Sequence, residues 1–314
     1  MKIVLLEELG VPDRIIEKHA SRLKKMGHEF RAYPKNADVE VQLDRSRDAD
    51  VIMIANMPLN AEVVKAAESL KYIDVAFTGV DHIPMDEVKK RGIAVSNASG
   101  YATQAVAELC ITYMIQLLRN ISKTEERCRH SETKEGLIGH LLCGKTVGII
   151  GAGAIGRRVA ALCKAFGCNV IACSRSKVDD PSVDEQISLE ELLKRADIVS
   201  LHCPLTNETQ GLIGEKELKL MKDNSILVNT ARGKVIDNEA LAAALEEGKI
   251  GGAACDVFDM EPPLPADYPL LHSPNTIVTP HIGFASVESM ELRAEIVFEN
   301  LYSWLDGKHI NQIG

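Results

Sequence analysis

Apolar residues along this chain fall into two alternating patterns. Short unbroken runs such as Ile3-Val4-Leu5-Leu6 and Val51-Ile52-Met53-Ile54 suit fully buried strands. Between them, apolar residues recur at helical spacing. Pro12-Asp13 opens an amphipathic helix that stops at Gly27, and His28 to Tyr33 is extended. Asn60 caps a helix through Ala67, Tyr72 to Phe77 is a strand closed by Thr78-Gly79-Val80-Asp81, and a short helix leads to Ile93-Ala94-Val95. Buried strands joined by helices predict a parallel sheet covered on both faces. One long helix is expected from Thr103 through Ala107, Ile111, Met114 and Leu118 toward Glu125, followed by a surface segment from Arg127 to Gly136. The alternation restarts at Thr146, with strands predicted at 146–150, 169–174, 197–201, 225–229, 252–256 and 276–279. Ser188 and Asp237 are the expected caps, Gly248 is a stop, and Ser286 to Leu305 is a last amphipathic helix.

The restart has a particular form. Thr146 to Ile150 run into Gly151-Ala152-Gly153-Ala154-Ile155-Gly156 and then into the helical Arg157-Arg158-Val159-Ala160-Ala161-Leu162. Strand, glycine turn and helix in that order are the setting of a dinucleotide-binding fingerprint. Gly151 suits the tight turn, Gly153 the approach of a pyrophosphate, and Gly156 the packing of helix on strand. The helix N-terminus offers its N–H groups to the phosphates. The same turn without a ligand is the plainer reading, and the strand and helix on either side favour the ligand. The second strand ends Cys173-Ser174-Arg175-Ser176-Lys177, with no acid before Asp179. An acid there bonds the ribose 2′-hydroxyl of NAD, whereas Arg with Ser and Lys suits a 2′-phosphate. The expected cofactor is therefore NADP(H) in preference to NAD(H), with Arg175 as a solvated loop residue the competing reading.

Composition narrows the class. The net charge is −9 and no basic block stands out, which disfavours nucleic acid as a partner. No apolar run reaches bilayer length, and the apolar part of MKIVLLEELG is short for a signal peptide and reads as a first strand. The eight cysteines form no CxxC pair and mostly lie in apolar segments, which argues against a metal site and for a reducing, cytoplasmic setting.

Three more segments follow strands of the second half. Arg232 comes just past the strand at 225–229, Asp256 and Glu261 follow 252–256, and His281 follows 276–279. In a doubly wound sheet, ligands bind outside the carboxyl ends of the strands. Singly, Arg232 also reads as a surface ion-pair residue, Glu261 as a solvated acid and His281 as a structural histidine. Their shared placement favours convergence at the nicotinamide end of a dinucleotide.

These residues carry a resemblance. NTARG at 229–233, DVFDMEPPLP at 256–265, TPHIG at 279–283, VAELC at 106–110 and Gly79-Val80-Asp81 make the chain similar to the D-isomer-specific 2-hydroxyacid dehydrogenases over nearly its whole length. The implied fold class is α/β with two doubly wound parallel-sheet domains. A Rossmann NAD(P)-binding domain at 101–284 is inserted in a smaller flavodoxin-like substrate domain made of 1–100 plus 285–314. The resemblance implies that Arg232 binds the substrate carboxylate and carbonyl, His281 is the acid/base, and Glu261 pairs with it. It implies cofactor contacts from Gly151, Gly153, Ala154, Ile155 and Gly156, from Ser174, Arg175 and Ser176, from His202, Cys203 and Pro204, from Thr230 and Ala231, from Asp256 near the nicotinamide carboxamide, and from Gly283. Asn56, Met57, Thr78, Gly79 and Val80 would offer backbone N–H groups to the substrate carboxylate. A homodimer through the nucleotide domain is implied, and the helix from Thr103 with the segment after it is the candidate surface.

The implied chemistry suits these residue types. Reducing a 2-keto acid places a hydride on C2 and a proton on its oxygen. Histidine titrates near neutrality, a carboxylate orients its ring, and an Arg fork matches a carboxylate. No metal is required. The expected activity is reduction of a short 2-keto acid of the glyoxylate or hydroxypyruvate type to the D-2-hydroxy acid, and the reverse. The two long helices are expected to act as hinges of a closing cleft. Tyr101 reads either as a cleft residue or as a packing tyrosine. A short phosphoglycerate dehydrogenase is the same-class alternative, although 314 residues leave no room for an appended regulatory domain. A dinucleotide-gated interaction module of the corepressor type is the binding-class alternative, and it lacks the expected disordered extensions. A methyltransferase reading leaves Arg232, Glu261 and His281 unexplained.

Overall fold

The computed structural model describes residues 1–313. The chain divides into two compact units, Met1–Ala102 with Phe284–Gly314, and Thr103–Gly283.

The first unit is built on strands β1 (Lys2–Leu5), β2 (Glu29–Ala32), β3 (Val51–Ile54), β4 (Tyr72–Val75) and β5 (Ala94–Asn97), in the parallel order β2-β1-β3-β4-β5. That order is the flavodoxin-like one. Helices α1 (Asp13–Lys25), α2 (Val39–Ser46), α3 (Ala61–Ala66) and α4 (Met85–Lys90) connect the strands. All four residues of β3 are buried, as an unbroken apolar run requires, and so are all four of β4, Asp74 among them. The Asn60 carboxamide accepts the N–H of Glu62 as the cap of α3. Helix α2 is absent from the sequence expectation. Its signal was Asp38, whose carboxylate accepts the N–H groups of Glu40 and Val41.

In the second unit, α5 (Thr103–Leu118) and α6 (Ile121–Arg129) precede β6 (Thr146–Ile150) and α7 (Ala154–Ala165). The expected single helix from Thr103 toward Glu125 is two helices. Asn120 adopts φ 52°, and the N–H of His140 donates to the carbonyl of Leu118 at 2.7 Å, which ends α5 from outside. There follow β7 (Asn169–Cys173), β8 (Glu185–Gln186), α8 (Leu189–Arg195), β9 (Ile198–Leu201), α9 (Glu215–Leu220), β10 (Ile226–Asn229), α10 (Asn238–Glu246), β11 (Gly252–Cys255) and β12 (Thr276–Val278). The sheet runs β12-β11-β10-β9-β6-β7-β8, all parallel. The direction of winding reverses between β6 and β9, which is the Rossmann switch point. Strand β8 was missed, because two residues carry no periodicity. The Ser188 and Asp237 side chains cap α8 and α10 as expected.

In the first unit, α11 (Val287–Leu305) begins at the Ser286 cap and packs on β4 and β5. Trp304 stacks on Tyr72 at 4.8 Å. Beneath the helix, Asn300 Nδ2 donates to the buried Asp74 Oδ1 at 3.1 Å and to the carbonyl of Asn97 at 3.0 Å. Among the described residues, no helix is long and apolar enough to cross a membrane, and no cluster of three or more His, Cys, Asp or Glu suits a metal ion.

Candidate active site

The glycine turn after β6 has the form the fingerprint needs. Gly151 has φ +96°, and a Cβ there would lie 2.6 Å from the backbone nitrogen of Cys203. A Cβ on Gly156 would lie 2.1 Å from the carbonyl oxygen of Gly151, so only glycine lets α7 close on the turn. Gly153 differs, because a Cβ there would meet nothing within 4 Å. It is the N-cap of α7 and supplies no side-chain cap, which leaves the first-turn N–H groups of Ala154, Ile155 and Gly156 for an anion. The residues fit a pyrophosphate. Across the switch point, the His202 imidazole and the Ser200 hydroxyl share a hydrogen bond of 2.8 Å. Burial pushes His202 down to about 3, so the ring is neutral at physiological pH. The Thr230 hydroxyl meets the Cys110 thiol at 3.1 Å.

The next three loops leave β10, β11 and β12, which are neighbours in the sheet. After β10, the Asn229 carboxamide accepts the N–H of Ala231 at 3.0 Å and donates to the carbonyl of Arg232 at 3.0 Å. This holds Arg232 in extended backbone, and its Nη1 donates to the Ala231 carbonyl at 2.7 Å. Gly233 lies against the loop after β11, where a Cβ would fall 1.8 Å from the carbonyl carbon of Phe258. The Arg232 loop therefore packs directly on the segment that leads to Glu261.

The loop after β12 is anchored by Asp256. This carboxylate is 1% exposed. Its Oδ1 accepts the Thr279 hydroxyl at 2.6 Å and the Ile282 N–H at 2.8 Å, and its Oδ2 accepts the Gly283 N–H at 2.7 Å. Tyr113 on α5 hydrogen-bonds the Thr279 hydroxyl in turn. Burial raises the Asp256 pKa, and these donors oppose the rise. Between Thr279 and Ile282, His281 takes the left-handed conformation at φ 56°. Its Nδ1 lies 3.0 Å and 3.2 Å from the two Glu261 carboxylate oxygens. The His281 side chain is 13% exposed and that of Glu261 67%, so the carboxylate reaches in from a wet position. Sequence reasoning placed Asp256 toward the cofactor and missed its service to the His281 loop. Asn229, Thr279 and Tyr113 were also missed as supports.

In the first unit, one expectation needs correction. Met57 was to offer its N–H to a substrate carboxylate, but that N–H donates to Glu7 Oε1 at 2.8 Å. The same oxygen takes the Ala55 N–H at 2.7 Å. Glu7 is 3% exposed, with its other oxygen 3.9 Å from Lys35 Nζ. The described residues accept no hydrogen bond from the N–H groups of Asn56, Thr78, Gly79 and Val80.

Comparison with known proteins decides the family. Residues 111–283 match the family model described as the D-isomer specific 2-hydroxyacid dehydrogenase, NAD binding domain. A glyoxylate reductase of Thermococcus litoralis is 39% identical over 287 residues, which is 88% of this chain and 86% of the relative. The chain belongs to the D-isomer specific 2-hydroxyacid dehydrogenase family. It is an oxidoreductase that uses a pyridine nucleotide. A D-3-phosphoglycerate dehydrogenase of Methanocaldococcus jannaschii is also 39% identical, over 86% of this chain and 52% of the relative. Among solved structures, an acyclic imino acid reductase, Bsp5, in complex with NADPH and D-Arg superposes with a TM-score of 0.92 at 30% identity, with all of both chains covered. Three of the motifs that carried the resemblance, at 229–233, 256–265 and 279–283, lie on the loops that hold Arg232, Glu261 and His281 in this dehydrogenase.

Proposed function

We propose that this dehydrogenase reduces a short 2-keto acid of the glyoxylate or hydroxypyruvate type to the D-2-hydroxy acid, and runs the reverse oxidation. The observation that carries the reading is the pairing of His281 Nδ1 with Glu261 at 3.0 Å, from loops that follow adjacent strands. With Nδ1 engaged by Glu261, the proton passes between His281 Nε2 and the substrate oxygen. The Arg232 fork pairs with the substrate carboxylate and draws charge toward the carbonyl oxygen. The bound dinucleotide supplies or accepts the hydride. Gly151, Gly153 and the first turn of α7 hold its pyrophosphate, with His202, Cys203, Pro204, Thr230, Ala231, Asp256 and Gly283 along its length.

NADP(H) is the proposed preference. Arg175, Ser176 and Lys177 are exposed where β7 ends, and no acid stands among them. Solved relatives include complexes with NADPH and with NAD, and the choice rests on this loop. The proposed assembly is a homodimer through the second unit. Ile138 is 84% exposed and Leu141 69%, apolar surface that a second copy would cover. Eight free thiols support a reducing, cytoplasmic setting.

The test is steady-state kinetics of NADPH against NADH with glyoxylate, hydroxypyruvate, pyruvate and 3-phosphohydroxypyruvate, on the native chain and on His281→Gln. The variant is expected to bind NADPH and lose about 100-fold or more in turnover. Full activity in it would sink the mechanism. A preference for the phosphorylated substrate would favour the phosphoglycerate dehydrogenase reading.

A further inference from the structure

Strand β8 consists of two residues, Glu185 and Gln186, added to the sheet beside β7. It is held on its far side by Arg195, which bonds Glu185 at 2.6 Å and Glu191 at 3.0 Å. From that fixed position the Gln186 side chain reaches the loop that leaves β7. Its Nε2 donates to the carbonyl of Ser174 at 2.9 Å and to that of Ser176 at 2.9 Å. Its Oε1 accepts the N–H of Val178 at 2.9 Å. One neutral amide thus ties three backbone groups of residues 174–178, and Arg175 sits between the two tethered carbonyls.

This arrangement has an electrostatic consequence. A peptide carbonyl turned toward a phosphate repels it, and a mobile loop loses entropy when an anion orders it. Gln186 engages both carbonyls and sets the loop during folding, so that neither cost falls on ligand binding. Glutamate at this position would accept the Val178 N–H, but it would donate to neither carbonyl and would add a like charge beside an anion.

We infer that Gln186 is a positioning residue for coenzyme selection, pre-forming Ser174 to Lys177 as a cradle for the phosphate on the adenosine 2′ position. The inference rests on the NADP(H) preference proposed above. A residue that merely stabilised the loop would affect both dinucleotides alike, whereas a cradle former acts on the ligand with the 2′-phosphate.

The experiment is calorimetric titration of the full chain with adenosine 2′,5′-diphosphate and with 5′-AMP, for the native protein, Gln186→Leu, Gln186→Glu and Arg175→Ala. Melting temperatures are recorded to confirm folding. Gln186→Leu is expected to weaken the diphosphate about tenfold and 5′-AMP less than twofold, roughly, with a larger loss of the diphosphate in Gln186→Glu. The NADPH-to-NADH ratio of kcat/KM should fall in step. Equal weakening of both ligands, or no change in either Gln186 variant, overturns the inference. If Arg175→Ala weakens the diphosphate and the Gln186 variants do not, only the role of Gln186 falls. If Arg175→Ala leaves diphosphate affinity unchanged, the coenzyme reading falls, and this inference with it.

Discussion

The backbone N–H of His281 donates to the carbonyl oxygen of Asp256 at 2.9 Å, while the Asp256 carboxylate accepts the N–H groups of the two residues that follow the histidine. One residue therefore grips the His281 loop from both its backbone and its side chain. The grip stabilises the left-handed backbone of His281, which a β-substituted residue adopts at a cost.

Asp256→Asn tests that grip. A carboxylate accepts on both oxygens, but an amide accepts on one and donates on the other. In the variant, the Ile282 or the Gly283 N–H faces an NH2 group. The loop shifts, and under the proposed mechanism kcat is expected to fall about 100-fold, the effect of misplacing an acid/base such as His281 by about 1 Å. The fold should survive, as circular dichroism would report. Unchanged kcat in a folded variant would show that Asp256 does not position the histidine.

Gly233→Ala tests the contact between the Arg232 and Glu261 loops. The added methyl would lie 1.8 Å from the Phe258 carbonyl carbon, which is backbone and cannot swing aside. A loss of about 1–3 kcal/mol in unfolding free energy is expected, with turnover falling because two loops are displaced together. A variant with native melting temperature and native kcat would contradict the packing described.

Asp74→Asn probes the core of the first unit. Burial of Asp74 pushes its carboxyl well above the usual range, opposed by the hydrogen bond from Asn300. The folded chain therefore holds a proton that the unfolded chain releases. Where the unfolded state binds fewer protons, stability falls as pH rises. The native protein should lose stability relative to Asp74→Asn by up to about 1.4 kcal/mol per pH unit, starting above the ordinary carboxylate value and ending at the folded one. Denaturant titration of both proteins from pH 5 to pH 9 would check it, in that range of roughly neutral conditions. A difference independent of pH would show that Asp74 is ionised in the fold.

Much of this protein is determined by local pattern. Apolar runs made β3 and β6 strands, because a strand buried on both faces has no polar side to show. Asn60, Ser188 and Asp237 cap helices where expected, because a cap acts on N–H groups two or three residues away. The glycine fingerprint and the placing of Arg232, Glu261 and His281 after strands were legible for the same reason.

Tertiary structure decided what depends on groups distant in sequence. The bonds from Ile282 and Gly283 to Asp256 span 26 and 27 residues, and those from Ala55 and Met57 to Glu7 span 48 and 50. No periodicity records such pairs. The break between α5 and α6 has the same origin, since the N–H of His140, 22 residues on, takes the Leu118 carbonyl. The sequence determined which residues stand at strand ends. Only the sheet order, with β10, β11 and β12 side by side, decided that Arg232, Glu261 and His281 leave adjacent strands.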